Sequence, residues 1–506
     1  MSDNLQEIYD LAPYLNEIDR ELVARALAFA EKIHAGQNRF SGEPYIIHPI
    51  ATAKILAELK VDAKTIAAGL LHDVLEDSQI TPEELEKEFG ADIPFLIQGV
   101  TKLGTIKYQG LERHVESLRK FFIAMAEDIR VVIIRLADRL HNVQTLEYIR
   151  ADKQERIALE TIEIYAPIAN RLGIGKLKSR LEDASFPYAY PAGYAETIKL
   201  RKTKNRETLK RLEKIQRSLR TELSKHEFDN LRIDYRLKSL YSLYVKLKVN
   251  DMDIDRIYDI SAIRVIVDSV SDCYRALGLI HAKWRPVPDR LRDYIANPKP
   301  NGYQSIHTAV FTGDGMVEIQ IRTAIMHTEA EYGVASHVAY VESGKKISGG
   351  YLSKKTAWIG KLLEAQKNIT DSNEYLATIK NDFFTDCIFV FTPKGDVIEL
   401  PPASTVLDFA YEIHSDIGHH AVAGYVNNKY SSLDTRLKND DIVRIETKEK
   451  SHPTARWFNY VTTNNARRLI RIYLQQQENK NTLPTIKPKN SLKSKALRQN
   501  RHHQKS

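Results

Sequence analysis

The apolar spacing of this chain changes near residue 230, and that change limits the folds open to it. From residue 1 to about 185, apolar side chains recur at helical intervals with few strand-like alternations. Residues 195 to 228, which include RKTKNRETLKRLEKIQRSLRTEL, form a highly charged helical stretch suited to joining two domains. After 230, short β-rich runs such as AIRVIV and MVEIQIRT alternate with helical segments, the pattern of an α+β domain. A helical stretch follows from about 350. CIFVFTPKGDVIEL then reads as two strands around a Pro-Lys-Gly turn. With AVAGYVNN and DDIVRIET it makes a compact β-rich module at about 383 to 447. A chain of 506 residues has room for about three or four such domains.

Composition excludes several classes. No apolar run is long enough to span a bilayer, and the start, MSDNLQEIYDLAPYL, lacks the basic and apolar regions of a signal peptide. Two cysteines, Cys273 and Cys387, rule out a disulfide framework or a cysteine-built zinc site, so a reducing cytoplasm fits best. The formal charge of +8 is local rather than general. Residues 480 to 506 hold eight Lys or Arg (Lys480, Lys487, Lys489, Lys493, Lys495, Arg498, Arg501, Lys505) and no acid, which equals the whole excess. This tail is polar, free of aromatic residues and expected to be disordered. It suits either electrostatic contact with RNA or acidic partners, or an inert solubilising end.

The stretch GLLHDVLEDS, residues 69 to 78, concentrates chemistry. Taken as a helix, it places His72, Asp73, Glu76 and Asp77 in a sector of about 140°, with Leu70, Leu71, Val74 and Leu75 covering the rest. Gly69 falls inside the polar sector, where it leaves room. A core helix with a solvated acidic face has the same pattern, so a metal cradle requires partners from elsewhere. Upstream, HAGQNRFSGEPYIIHP supplies His48; downstream, RLADRLHN supplies Asp138. Two imidazoles and two carboxylates from three helices suit Mn²⁺, Fe²⁺ or Zn²⁺ better than Mg²⁺. Their order, His…His-Asp…Asp, matches the metal-dependent phosphohydrolases called HD domains.

The words GQNRFSGEPYIIHP, LLHDVLEDS, GVTKLG, AMAEDIRVVIIRLADRLHNVQTL and IYAPIANRLGI closely resemble the RelA/SpoT homologue family, whose members make and degrade the alarmones ppGpp and pppGpp. The resemblance runs from about residue 20 to 475. It implies that His48, His72, Asp73 and Asp138 bind Mn²⁺, and that Glu76 and Asp77 activate the water that removes a 3′-pyrophosphate. It further implies that Arg39, Ser41, Asn142 and Thr145 hold the guanine nucleotide. Phe40 departs from the family, which usually has lysine there, and removes a cationic contact.

A second set of residues lies in the α+β region. Strand alternation in VEIQIRT turns Val317, Ile319 and Ile321 to one side and Glu318, Gln320 and Arg322 to the other. Asp259 precedes the apolar strand of IYDISAIRVIV, and with Glu318 it offers two carboxylates for Mg²⁺. In RLKSLYSLYVKL, Lys238, Ser242 and Lys246 form a slow stripe along a helix, either a solvated basic face or a phosphate contact. YDISAIRV, DRLRDYIANPKPNGYQSIHTAV and VEIQIRT…EYGVASH resemble the synthetase domain of the same family, a nucleotidyltransferase-like fold. By that resemblance Asp259 and Glu318 carry Mg²⁺, Glu318 is also a base for the 3′-hydroxyl, and Tyr303 stacks on guanine near Asn301 and His307. The same resemblance implies that Arg236, Lys238, Ser242, Lys246, Lys299 and Arg322 hold and neutralise phosphates. Arg290 and Arg292 in RLRD keep the basic character that members with both activities show as Arg-x-Lys-Asp. Tyr235 stands where the family usually has glycine.

FTPKGDVIELPPASTVLDFAYEIHSDIGHHAVAGYVN resembles a TGS domain, a β-grasp unit that in family members can contact the tRNA acceptor end. His419 or His420 is then either an RNA contact or a structural histidine. The expected order is an all-α HD-type hydrolase domain at 1–185 and an α+β nucleotidyltransferase-like synthetase domain with its connector helix at 186–345. A helical linker at 346–382, a β-grasp TGS domain at 383–447, the start of a helical region at 448–478 and the basic tail at 479–506 complete it. The implied activity is Mn²⁺-dependent hydrolysis of (p)ppGpp and Mg²⁺-dependent pyrophosphate transfer from ATP to GDP or GTP in the cytoplasm, with tRNA or ribosome contact through the TGS domain and tail. Two other readings are a hydrolase with weak or lost synthesis and a non-catalytic, RNA-associated regulator.

Overall fold

From Asp3 to Leu223 the regular elements are helical: α1 (Asp3–Leu11), α2 (Glu17–Ile33), α3 (Ile47–Glu58), α4 (Ala63–Leu71), α5 (Val74–Asp77), α6 (Pro82–Phe89) and α7 (Asp92–Gly104). They continue with α8 (Leu111–Glu127), α9 (Ile129–Gln144), α10 (Ala151–Glu160), a π-helical turn (Thr161–Tyr165), α11 (Ala166–Arg171), α12 (Gly175–Ala189) and α13 (Pro191–Leu223). The computed structural model describes residues 3–104, 111–257, 260–299, 301–313, 315–336, 358–360, 362–364, 371–379, 388–439 and 441–482. It divides into two compact units, Met1–Phe384 and Thr385–Ser506. None of the described helices is long and apolar enough to cross a membrane.

Side chains set where the helices begin. Asn16 and Asp19 close a capping box on α2, and Thr81 and Glu84 do the same on α6, where Pro82 takes a first-turn position that needs no amide donor. Asp62 accepts from Thr65 N–H to start α4, and Asp128 accepts from Arg130 N–H to start α9. Leu56, Leu70, Leu71, Val132 and Ile134 are fully buried where α3, α4 and α9 meet. At Gly69 an added Cβ would stand 2.3 Å from Leu56 Cδ1. The glycine therefore permits a close helix crossing within the core, and is not a space-maker in a polar sector.

One continuous helix over residues 69–78 does not form. α4 stops at Leu71, His72 and Asp73 make a turn, and α5 restarts at Val74. The Asp73 carbonyl accepts from Glu76 N–H (3.0 Å) and Asp77 N–H (2.9 Å), while His72 Nδ1 bonds the Gly69 carbonyl at 2.9 Å. The break lets adjacent residues turn into one pocket, which an unbroken helix would separate by about 100°.

The α+β region is a five-stranded sheet in the order β1 (Arg232–Leu237), β2 (Ser261–Val267), β5 (Gly315–Thr323), β4 (Ile306–Thr312) and β3 (Arg292–Asp293). β2 and β5 are parallel, with Ala262 opposite Glu318 and Arg264 opposite Gln320; the other pairs are antiparallel. Leu212, Leu219 and Leu223 of α13 pack with Ile263, Val265, Ile319 and Ile321 and with Ala276 and Ile280 of α15 (Val270–Lys283). The polar face of β5 is also covered, since Gln320 and Arg322 are buried. Lys238 precedes α14 (Leu240–Val249), so it is not on the helical stripe with Ser242 and Lys246. Ser239 caps that helix instead.

The helical and α+β regions meet through backbone. After α16 (Ala324–Tyr332), Gly333 adopts φ +54° against the α11–α12 turn, and Val334 N–H donates to the Leu172 carbonyl at 3.0 Å. The stretch read as a helical linker is helical where described, but it is not a bare connector. Its Trp358, Ile359, Leu362, Tyr375 and Ile379 are buried in the N-terminal core.

In the second unit, β6 (Ile388–Phe391) and β7 (Val397–Leu400) form a hairpin, and β10 (Val443–Thr447), β8 (Ala421–Val426) and β9 (Lys429–Ser431) form a sheet in that order. Buried Asp408 accepts from the Thr405, Thr462 and Thr463 amides, which ties the following segment to this module. Trp457, Val461 and Ile470 share its core. The basic tail beyond Thr482 lies outside the described residues.

A Cβ on Gly333 would stand 2.3 Å from the Leu172 carbonyl oxygen, in a conformation that also disfavours side chains. Gly333→Ala should therefore destabilise the first unit by ~1–3 kcal/mol and lower its calorimetric melting temperature. An unchanged melting temperature would show that the junction yields without cost.

Candidate active sites

In the first site, α3 contributes His48, the α4–α5 turn contributes His72 and Asp73, and α9 contributes Asp138. His48 Nε2 lies 3.2 Å from Asp138 Oδ1 and 3.6 Å from Asp73 Oδ2. His72 Nε2 lies 3.1 Å from Asp73 Oδ2 and 3.9 Å from Asp138 Oδ1. His48, His72 and Asp138 are buried, and His72 Nε2 makes no hydrogen bond. Four donor atoms thus converge, three of them from buried residues and the fourth from half-buried Asp73.

Each donor is held from behind. Tyr45 O–H donates to Asp73 Oδ2 (2.8 Å), and Arg135 donates to Asp138 Oδ2 (2.6 Å). Asn142 Nδ2 donates to Asp138 Oδ1 at 2.5 Å. His48 Nδ1 meets His141 Nδ1 at 2.7 Å. Arg39 Nη1 lies 3.0 Å from the same His141 nitrogen, and Arg39 Nη2 donates to Asn142 Oδ1 at 3.0 Å. Arg39 and Asn142, expected as nucleotide contacts, are thus engaged beneath the pocket. Thr145 Oγ1 bonds the His141 carbonyl (3.1 Å), and Ser41 Oγ bonds Glu43 (3.2 Å). Glu76 and Asp77 stand exposed at the rim on α5, and Phe40 is 93% exposed. Tyr45, Arg135 and His141 were not among the expected site residues. Their spacing was informative: Arg135 and His141 lie three residues either side of Asp138, on one helical face.

In the second site, His307 on β4 and Glu318 on β5 share a cleft of about 310 Å³ with Lys246, Arg290 and Arg292. Asn250, Arg256 and Thr308, not anticipated, also line it. His307 Nδ1 is 3.1 Å from Glu318 Oε1, and its Nε2 is 2.8 Å from Tyr303 O–H. Arg322 donates to Tyr303 O (2.8 Å) and to Gln320 Oε1 (2.6 Å), and its guanidinium lies over the Tyr303 ring at 5.1 Å. Arginine only donates, so the chain of donation runs from Arg322 to Tyr303 to His307 and ends on the Glu318 carboxylate as acceptor. Burial lowers the His307 pKa against the pull of Glu318, which agrees with one ring proton, on Nδ1. Arg322 is fully buried, and its Nε and Nη1 make no hydrogen bond.

Asn301 is a brace: its Nδ2 donates to the Asn170 carbonyl (3.1 Å) and its Oδ1 accepts from Tyr303 N–H. Lys299 Nζ stands 5.0 Å from the Tyr294 ring centroid. Arg236 lies on β1 and Lys238 just after it, and Tyr235 is exposed. Asp259 is outside the described residues. In the second unit, His419 is half-buried between Tyr411 and Tyr473, with ring centroids 5.6 and 4.8 Å away. His420 Nδ1 bonds the Asp416 carbonyl at 2.9 Å.

Comparison with known proteins gives these sites a context. An HD domain model matches residues 26–175, the region found in RelA/SpoT proteins matches 235–345, and a TGS domain model matches 388–447. A guanosine-3′,5′-bis(diphosphate) 3′-pyrophosphohydrolase of Vibrio cholerae is 40% identical, and the match covers 95% of this chain and 68% of that protein. The chain belongs to the RelA/SpoT family. A probable enzyme of the same description from Synechocystis sp. is 45% identical over 459 residues, covering 90% of this chain and 60% of the relative. A GTP pyrophosphokinase of Myxococcus xanthus is 44% identical over 479 residues, covering 94% and 63%. The chain thus spans about three fifths of the length of these last two family members.

An HD domain with a buried His48, His72 and Asp138 group is a site for a divalent metal. The fit is chemical as well: donors that share one first-row ion at bonds of ~2.0–2.2 Å stand roughly 3–4 Å apart, the range seen here. Burial lowers the His48 pKa. Burial also works against charge on His72, but Asp73 and Asp138 outweigh it and raise that imidazole to about 9. Burial opposes ionisation of Asp138, yet Arg135 and the two histidines hold its carboxyl well below the usual range. The two carboxylates therefore favour a proton on His72 at neutral pH when no metal is bound. Coordination needs the His72 Nε2 lone pair, so that proton must leave. Uptake of Mn²⁺ near pH 7 should release about one proton, and affinity should rise with pH up to about 9. Titration calorimetry in buffers of different ionisation enthalpy reads this directly. Uptake without proton release would show that His72 carries no charge or does not bind the ion.

Proposed function

We propose that the first site hydrolyses the 3′-pyrophosphate of (p)ppGpp with Mn²⁺, and that the second transfers pyrophosphate from ATP to the 3′-hydroxyl of GDP or GTP with Mg²⁺. Convergence of four donors from three segments, three of them buried, carries the first half. The Arg322–Tyr303–His307–Glu318 chain supports the second.

In the first site His48, His72, Asp73 and Asp138 would hold the ion. When bound, it supplies a Lewis acid for the phosphate and acidifies a water. Glu76 and Asp77 orient that water and take its proton. Partial desolvation at the rim, followed by the Asp73 charge, raises the Glu76 pKa, which makes it the better proton acceptor. Attack on phosphorus releases the 3′-oxygen, which leaves with a proton as a hydroxyl. In the second site Asp259 and Glu318 would carry Mg²⁺. His307 aims Glu318 at the 3′-hydroxyl, whose proton Glu318 removes. The unmet donors of Arg322 suit a phosphate oxygen. Arg236, Lys238, Ser242, Lys246, Arg290, Arg292 and Lys299 would neutralise further phosphate charge, because positioning and neutralisation dominate such transfers. Tyr303 stacks on guanine in this reading. The cytoplasm is the compartment that fits, and the TGS domain and basic tail would meet tRNA or the ribosome. The domain boundaries at 185, 345, 382, 447 and 478 belong to the same reading.

Two assays test the reading: ppGpp with Mn²⁺, and GDP or GTP with ATP and Mg²⁺. Asp73→Asn should abolish hydrolysis and leave synthesis in place. In that background Glu318→Gln should lower synthesis by about 10²–10⁴-fold. A hydrolysis-dead protein that makes no ppGpp under any nucleotide and metal condition would leave the hydrolase-dominant reading in its place.

Phe40 projects into solvent, so its replacement disturbs no packing. Phe40→Lys should lower KM for ppGpp by about fivefold, the value of one ~1 kcal/mol phosphate contact. An equal or higher KM would remove this residue from the account of substrate binding.

A further inference from the structure

The hydrogen bonds beneath the metal site have a direction, and one guanidinium sets it. Arg39 lies in the loop between α2 and α3, and its two terminal nitrogens reach His141 Nδ1 and Asn142 Oδ1, each at 3.0 Å. A guanidinium has no acceptor, so both partners must present lone pairs. His141 Nδ1 is therefore unprotonated. The same nitrogen lies 2.7 Å from His48 Nδ1, and two bare nitrogens would repel at that distance. The proton between them must sit on His48 Nδ1, with the His141 lone pair shared by two donors. With its Nδ1 proton held by His141, His48 has only Nε2, the atom that faces Asp73 and Asp138, to offer to an ion as a lone pair.

The opposite arrangement is chemically allowed without Arg39. His141 would carry the Nδ1 proton and donate to His48, whose own proton would then sit on Nε2 and block coordination. With Arg39 present, that arrangement sets an N–H against an N–H. The second branch of the fork works alike. Asn142 turns Oδ1 toward Arg39, so its Nδ2 is left to donate to Asp138 Oδ1 at 2.5 Å.

We propose that Arg39 and His141 are positioning residues that fix His48 in the Nδ1–H tautomer, and that Arg39 orients Asn142 toward Asp138 in the same contact. This rests on the metal site proposed above, and it gives Arg39 a task that precedes any contact with nucleotide. Supporting contacts of this kind are worth about 10–100-fold in metal affinity.

The test is Mn²⁺ affinity of the metal-stripped full chain, read by electron paramagnetic resonance without nucleotide. His141→Leu removes the acceptor and should weaken binding by about 10–100-fold. His141→Asn places an amide oxygen near the lost Nδ1 and should restore affinity to within about threefold of wild type. Arg39→Ala should weaken binding by about tenfold although no substrate is present. A residue that only touches nucleotide would leave this number unmoved. If wild type binds Mn²⁺ tightly and all three variants match it, the relay is wrong and the metal site stands. If His141→Asn is as weak as His141→Leu while both melt like wild type, tautomer control is wrong. If wild type binds no Mn²⁺, the metal reading fails and the relay with it.

Discussion

Two imidazoles and a carboxylate buried among helices, with half-buried Asp73 beside them, are the constraint around which the first half of this protein is arranged. Taking such groups out of water costs several kcal/mol each, and mutual attraction offsets that cost only when every lone pair and proton has a partner. The partners come from three segments: Tyr45 and Arg39 before α3, the Gly69 carbonyl on α4, and Arg135, His141 and Asn142 on α9. The break between α4 and α5 belongs to the same arrangement, because it brings His72 and Asp73 to one point. Removing a supporting group would leave a buried polar atom unmet, at a cost of about 1–3 kcal/mol.

The second site relies on a different device. Its sheet holds the antiparallel strands β4 and β5 at fixed spacing, and their pairing brings His307 and Glu318 together. Arg264, Arg322 and Arg236 crowd together on the same sheet. Burial and the neighbouring Arg322 lower the Arg264 pKa to about 10, though Glu331 lies 3.3 Å away. Three guanidiniums with only Glu318 and Glu331 described beside them concentrate positive charge, which is unfavourable alone and favourable once phosphates arrive.

Much of this was legible in the sequence. Helical spacing, the change near residue 230 and the β-hairpin at Pro393–Gly395 follow from local pattern. His48, His72, Asp73 and Asp138 were readable because their types and order are chemically unusual. The helix break was not, since the apolar pattern of residues 69–78 suits a continuous helix and the break is driven by contacts to distant segments. The direction in which Arg39 points was hidden for a similar reason: spacing says nothing about a partner 102 residues away. Lys238 was misplaced because a capping serine, not the basic stripe, decides where α14 begins.

The burial of Trp358, Ile359, Leu362, Tyr375 and Ile379 among the N-terminal helices makes that core discontinuous along the chain. Residues 3–189 and 358–379 complete it only together, with the five-stranded sheet inserted between them. During synthesis the N-terminal helices must wait, partly uncovered, until the chain has passed Ile379. A shortened chain ending after α16 would keep every proposed metal ligand yet expose an apolar face of several large side chains, each worth ~1.5–3 kcal/mol when buried. Order along the chain and order of assembly therefore differ, and the last piece of the first core is made after the whole of the second.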